Sequence, residues 1–142
     1  HGIDNVLIRF SRCCNPVPGD PIVGYITRGR GVSVHRRDCP NLQALAQEGR
    51  QLQVEWERTP SLTYPVDIEV EAVDRVNLLT NIMASVSDGK TNIGAVHART
   101  TRHKRATIHL TVDIHDVEHL QSVINRITQV EGVLTVHRSG SS

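Results

Sequence analysis

Apolar and polar residues alternate most regularly in the second half of the chain, where Val66, Ile68, Val70 and Ala72 are interleaved with Asp67, Glu69 and Glu71. A period of two puts the apolar set on one face of a strand and the acids on the other. The alternation returns over Lys104–Ile114, where Ala106, Ile108, Leu110, Val112 and Ile114 face one way and Thr107, His109, Thr111, Asp113 and His115 the other. Between these strands the period lengthens. Leu78, Leu79, Ile82, Met83 and Val86 recur at helical spacing after Asp74, a residue type that caps helix starts, and Gly89 stops the run. Ile93–Thr101 is a further strand that meets the next one around Arg102 and His103, and Asp116 caps a second helix carrying Val117, Leu120, Val123, Ile124 and Ile127. Val130–His137 makes the last strand. The predicted order is βαββαβ, a ferredoxin-like split arrangement with an antiparallel sheet and both helices on one face.

The first half is less regular. Val6–Phe10 is a short strand, and Ser11 to Asp20, with two prolines, a glycine and an aspartate, is a loop. Ile22–Thr27 and Val32–His35 form a hairpin around the basic turn Arg28-Gly29-Arg30-Gly31. Asp38-Cys39-Pro40-Asn41 opens a short helix with Leu42, Leu45 and Ala46 on one face and Gly49 at its end. Leu52, Val54 and Trp56 alternate with Gln53, Glu55 and Glu57 as a half-buried strand, and Trp56 closes a small core. The polar, proline-containing stretch after Arg58 separates two α+β units, at residues 1–60 and 64–138.

Aromatic residues make up only 3% of the chain, so both cores must be built from Val, Ile, Leu and Ala, and an extended base-stacking platform is disfavoured. No apolar run reaches the roughly 18 residues that span a bilayer, and the first residues lack the pattern of a signal peptide, which predicts a cytoplasmic protein without a membrane partner. The formal charge of +1 conceals an asymmetry. Residues 1–40 hold Arg9, Arg12, Arg28, Arg30, Arg36 and Arg37 against Asp4, Asp20 and Asp38, which leaves +3 there and −2 in the remainder. All six cations are Arg, whose planar fork suits phosphate, although a solvated basic surface would read the same way.

The same segment contains every cysteine. Cys13, Cys14, His35 and Cys39 are ligand-type residues in a C-C-x20-H-x3-C pattern that suits tetrahedral Zn2+. Adjacent cysteines on extended backbone point to opposite sides, so both can reach one ion only if the loop kinks between them. The alternatives are buried small thiols with His35 bonded to backbone, or a reactive thiol. No partner set for a catalytic thiol and no phosphate-cradling G-x-x-x-x-G-K-[ST] loop occurs, so no catalytic residue is assigned and the chain reads as non-enzymatic. The remaining histidines, His97, His103, His109, His115, His119 and His137, show no ligand spacing, and most read as surface residues.

Arg12-Cys13-Cys14-Asn15-Pro16-Val17-Pro18-Gly19-Asp20, Gly24-Tyr25-Ile26-Thr27, Gly31-Val32-Ser33-Val34-His35 and Asp38-Cys39-Pro40-Asn41 together resemble the C-terminal region of the long RelA/SpoT homologues. The second half, with Asp74-Arg75-Val76-Asn77-Leu78-Leu79 at its first strand-helix junction, resembles the ACT domain of those proteins. The resemblance implies a zinc-finger or ribosome-intersubunit module that docks a guanosine tetra- and pentaphosphate synthetase/hydrolase on large-subunit rRNA near A-site tRNA, and regulates the catalytic domains of the same parent chain. It also implies an ACT domain able to pair with a second copy and to bind a branched-chain amino acid at Asp74, Arg75, Val76, Asn77, Leu78 and Leu79. Read from the residues, Asn92 and Ile93 line the same cleft if the second strand lies next to the first. This chain carries Asn77 where many ACT domains carry Gly. A redox or metal sensor at Cys13 and Cys14 is a third functional reading, separable by thiol titration with and without chelator.

Overall fold

In the computed structural model, which describes residues 8–27, 31–44, 50–57, 62–101 and 103–139, the first half supplies β1 (Ile8–Phe10), β2 (Ile22–Thr27), β3 (Gly31–Arg36) and β4 (Arg50–Leu52). β2 and β3 pair antiparallel from Ile22 opposite Arg36 to Thr27 opposite Gly31. Residues 28–30, the predicted arginine turn, lie outside the described residues, as does Val6. β1 runs parallel to β3, giving the order β1-β3-β2-β4. Ile22, Val32 and Val34 are buried between the strands, with Ile26, Leu52, Val54 and Trp56 packed against them. The strand expected through Val54 and Trp56 keeps its ladder only as far as Leu52; both residues remain alternately half-buried beyond it. A helix, α1, is described over residues 42–44.

The second half follows the predicted order with β5 (Tyr64–Val73), α2 (Leu78–Asp88), β6 (Ile93–Thr100), β7 (Arg105–Ile114), α3 (Val117–Thr128) and β8 (Val133–Arg138). The sheet order is β6-β7-β5-β8, antiparallel at every pair. Val66, Ile68, Val70 and Ala72 are fully buried, as the alternation requires, and meet Leu78, Ile82 and Val86 from α2 and Leu120, Val123 and Ile127 from α3. Among the described residues no helix is long and apolar enough to cross a membrane.

One cap differs from expectation. Asp116 does cap α3, its carboxylate accepting the His119 N–H at 2.8 Å. Asp74 does not cap α2. Its N–H donates to the Lys104 carbonyl at 2.7 Å, extending the β5 to β7 pairing, and the helix begins only after Asn77, which turns the chain in the left-handed region at φ 66° and makes no side-chain cap.

The loop after β1 joins the two halves. Val17 is fully buried, in the core of the second sheet rather than the first. Pro18 offers its carbonyl to the Val117 N–H that opens α3, at 2.8 Å. Gly19, at φ +101°, approaches so closely that a Cβ would lie 3.0 Å from Val117 Cβ, which only glycine permits. From β8, Arg138 donates to both carboxylate oxygens of Asp20 at 3.0 Å and to the Asn15 carbonyl at 2.7 Å. Asp20 also accepts the Val17 N–H at 2.9 Å, and Asn15 donates to Asp67 of β5 at 3.2 Å.

Candidate metal centre and adjoining surfaces

Cys13 and Cys14 sit in a turn rather than on extended backbone, and Asn15 follows at φ 47°. That turn supplies the required kink: both sulfurs face one point. His35 enters from β3, and Cys39 from the turn that follows it, where the Cys39 N–H donates to the Arg36 carbonyl at 3.0 Å. Cys13 Sγ lies 3.3 Å from Cys39 Sγ, 3.5 Å from His35 Nδ1 and 4.0 Å from Cys14 Sγ; Cys14 Sγ lies 3.8 Å from His35 Nδ1. All four ligand atoms fall within 4.8 Å of one another. A tetrahedron with Zn–S bonds of about 2.3 Å and a Zn–N bond of about 2.0 Å has edges of about 3.5–3.8 Å. The side chains are thus already at coordination spacing, and the group can hold one metal ion.

The electrostatics favour a cation. Burial pushes the Cys14 thiol up to about 12, aided by the neighbouring thiols and opposed by the Arg36 N–H. Burial also raises Cys39, against an N–H from Asn41. At Cys13 burial acts upward too, but contacts from Ser11, Cys39, Asn41 and Cys14 outweigh it and the net shift is downward. His35 is lowered by burial and then by the charge of Arg9, which keeps its ring neutral. Three sulfurs cannot all become thiolates here without a positive centre, and a divalent ion would supply it. Around the sulfurs, the Arg36 N–H donates to Cys14 Sγ at 3.4 Å, and Ser11 Oγ lies 2.8 Å from Cys13 Sγ. With four protein ligands and Cys14, His35 and Cys39 all buried, no coordination position is left for substrate, which is the form of a structural site.

The predicted arginines distribute unevenly. Arg9 and Arg12 are exposed on and just after β1, and Arg37 is exposed after β3. Arg36 forms a two-pronged pair with Asp38, at 2.8 and 3.2 Å, so its charge is partly matched within the protein. Arg28 and Arg30 lie outside the described residues.

In the second half, Asp74, Arg75, Asn77, Leu78 and Leu79 line a cavity of about 430 Å³, closed on the far side by Ala98, Arg99 and Thr100 of β6. Val76 is 83% exposed and points away. Asn92 and Ile93 are not among the lining residues. They stand at the opposite end of β6, where Asn92 donates to Asp113 at 2.7 Å and Ile93 packs on the core. The β6 side of the cavity is formed instead by Ala98 to Thr100, which the register sets opposite Ile108 to Ala106. Arg75 is committed to backbone, donating to the carbonyls of Glu131 and Val76 at 2.9 Å.

Comparison with known proteins accords with these two structural halves. Residues 1–57 match the RelA/SpoT RIS domain family and residues 60–138 the ACT domain family. Among curated proteins, a GTP pyrophosphokinase of Streptomyces coelicolor is 44% identical over 142 residues, covering 99% of this chain and 17% of its own length. The bifunctional (p)ppGpp synthase/hydrolase RelA of Mycobacterium tuberculosis is 41% identical over 142 residues, with 99% and 19% covered. The chain therefore spans less than a fifth of these relatives. The solution structure of the ACT domain from the GTP pyrophosphokinase of Chlorobium tepidum superimposes with a TM-score of 0.50 at 20% identity, covering 56% of this chain and 90% of that one, which supports the fold of the second half. Neither matched family is a catalytic domain: the chain belongs to the RelA/SpoT family as its regulatory region, a RIS domain followed by an ACT domain.

Proposed function

We propose that this region docks a (p)ppGpp synthetase/hydrolase on the ribosome and sets its activity in the stringent response, with the first domain contacting rRNA of the large subunit and A-site tRNA. One observation carries the reading: a Cys3His set already at zinc spacing anchors the segment that displays Arg9 and Arg12. Zn2+ held there would fix the loop and β3 as a rigid support, so that the guanidinium groups meet phosphate without first being ordered. The names of the relatives are consistent with a parent that makes or degrades alarmones, its catalytic domains being further partners of this region; the reading places that parent in the cytoplasm.

The test is co-sedimentation of the chain with ribosomes across a salt series, with metal analysis of the same sample. Wild-type protein should carry one zinc and bind with a steep salt dependence. Arg9→Ala/Arg12→Ala and Arg28→Ala/Arg30→Ala should each lower the slope by up to about two, since one phosphate contact contributes slightly less than one unit. Unchanged binding in both double variants, or equal binding by residues 64–142 alone, would remove the assignment.

A second reading rests on the 430 Å³ cavity at the start of α2, whose first N–H groups have no side-chain cap and favour a carboxylate. A branched-chain amino acid held there would make the ACT half a sensor, with a paired ACT domain of a second copy as a further partner. Calorimetry with valine, leucine and isoleucine decides it; binding to the single copy should be weak or absent, because Asn77 brings a side chain into a loop whose backbone must approach the ligand.

A further inference from the structure

The chain contains four aromatic residues of the Phe, Trp and Tyr types, and three of them meet at one place on the seam between the halves. Phe10 of β1 stacks on Trp56 with ring centres 5.3 Å apart and 10° between planes. Tyr64, which opens β5, stands edge-on to Phe10 at 5.3 Å and to Trp56 at 5.4 Å. Trp56 is fixed from behind by its ring N–H, which donates to the Asp20 carbonyl at 3.1 Å. Phe10 nevertheless stays 43% exposed. Beside it opens a cleft of about 140 Å³ lined by Phe10, Arg12, Asn15, Tyr64 and Asp67. Trp56 is not part of the lining but Tyr64 is, so the cleft adjoins the part of Phe10 that Tyr64 flanks.

We infer that this cleft receives one unstacked RNA base, laid on Phe10 so that Trp56, Phe10 and the base form a single stack, with an adjoining phosphate at Arg12. The inference rests on the reading that the first domain binds RNA and adds how a nucleotide would be held. A flat, partly exposed ring accepts any base, while Arg12 in the cleft lining matches a phosphate and offers nothing to an aliphatic side chain. Asp67, whose oxygens accept from Asn15 at 3.2 Å and Thr111 at 2.7 Å, keeps its negative charge, which excludes a phosphate from the cleft itself and presents an acceptor edge to a base amino group there. A low aromatic content disfavours a long stacking platform. It permits a one-base site, because here the rings are few but gathered. Purines, with the larger face, should be preferred over pyrimidines.

Trp56 is the sole tryptophan and reports on its own stack. Titration with short oligoadenylate should quench its fluorescence, oligouridylate should do so less, and an abasic strand of equal length and charge should bind through phosphate with little quenching. Phe10→Leu, which keeps an apolar side chain against Trp56, should weaken oligoadenylate binding roughly tenfold with an unchanged salt slope, and leave the abasic strand unaffected. Equal oligoadenylate affinity in Phe10→Leu and wild type, or equal quenching by the abasic strand, overturns the base cleft while leaving the RNA reading in place. If neither strand nor ribosomes bind the wild-type chain, both fall together. Should Phe10→Leu fail to fold, the wild-type comparison of oligoadenylate with the abasic strand decides the matter by itself.

Discussion

The neighbours of His119 dictate its proton state. Its Nδ1 accepts the His115 N–H at 2.9 Å and must be bare, while Nε2 lies 2.8 Å from Thr91 Oγ1 and carries the hydrogen. Burial, then the charge of His115, lowers its pKa against a smaller opposing effect of Asp116. The folded state therefore binds fewer protons than the unfolded one near neutrality. Its contribution to stability is complete above the ordinary histidine pKa of about 6.5 and is lost as pH falls through and below that value. Urea denaturation from pH 7.5 down to pH 5 should show decreasing stability, and His119→Asn should flatten the curve by the share of one proton; a variant whose curve runs parallel to wild type would contradict this. Nothing in its spacing singled out His119, because its role arises from a backbone N–H and a threonine that the fold brings to it. The candidate metal centre was legible for the opposite reason. Cys13, Cys14, His35 and Cys39 are recognisable by side-chain chemistry before their geometry is known, and only the turn that lets adjacent sulfurs converge had to be found in the structure.

At the scale of elements, period and burial agree almost throughout the ACT half, because strands covered on one face leave little freedom in which residues alternate. The two helix starts show where that logic stops. Asp74 and Asp116 look equivalent in sequence, yet strand pairing claims the Asp74 N–H and delays α2 to Leu78. Asp116→Ala should therefore cost about 1 kcal/mol of unfolding free energy in denaturant titrations, whereas Asp74→Ala should cost no more than a few tenths. Equal costs would mean that Asp74 does cap α2 in solution. In the first half, the prolines and glycine around Val17 mark a loop correctly and conceal its depth. A single valine between two prolines has no periodicity, so nothing local tells which core it enters.

At the scale of the whole molecule, that loop is a plug. Val17 completes the ACT core, and Arg138 holds Asp20 and the Asn15 carbonyl from the far side. Val17→Ala should destabilise the chain by about 2 kcal/mol through lost burial and the void left behind. Arg138→Ala should cost about 2–4 kcal/mol, because the largely buried Asp20 carboxylate loses its partner. Residues 64–142 expressed alone lack the plug and should melt at a lower temperature than the full chain; an equal melting temperature would show that the second core closes without Val17. Metal removal should also lower the melting of the full chain, since Cys13 and Cys14 lie within a few residues of the plug. The clamp has a further consequence for synthesis. Asp20 and Arg138 are 118 residues apart, and a chain elongating at about 5–20 residues per second leaves the aspartate without its arginine for about 6–24 seconds. During that interval Cys13, Cys14, His35 and Cys39 are already synthesised while the sheet their loop seats against is incomplete, so the four side chains can gather before the two halves dock, and β8 acts as the latch between the halves.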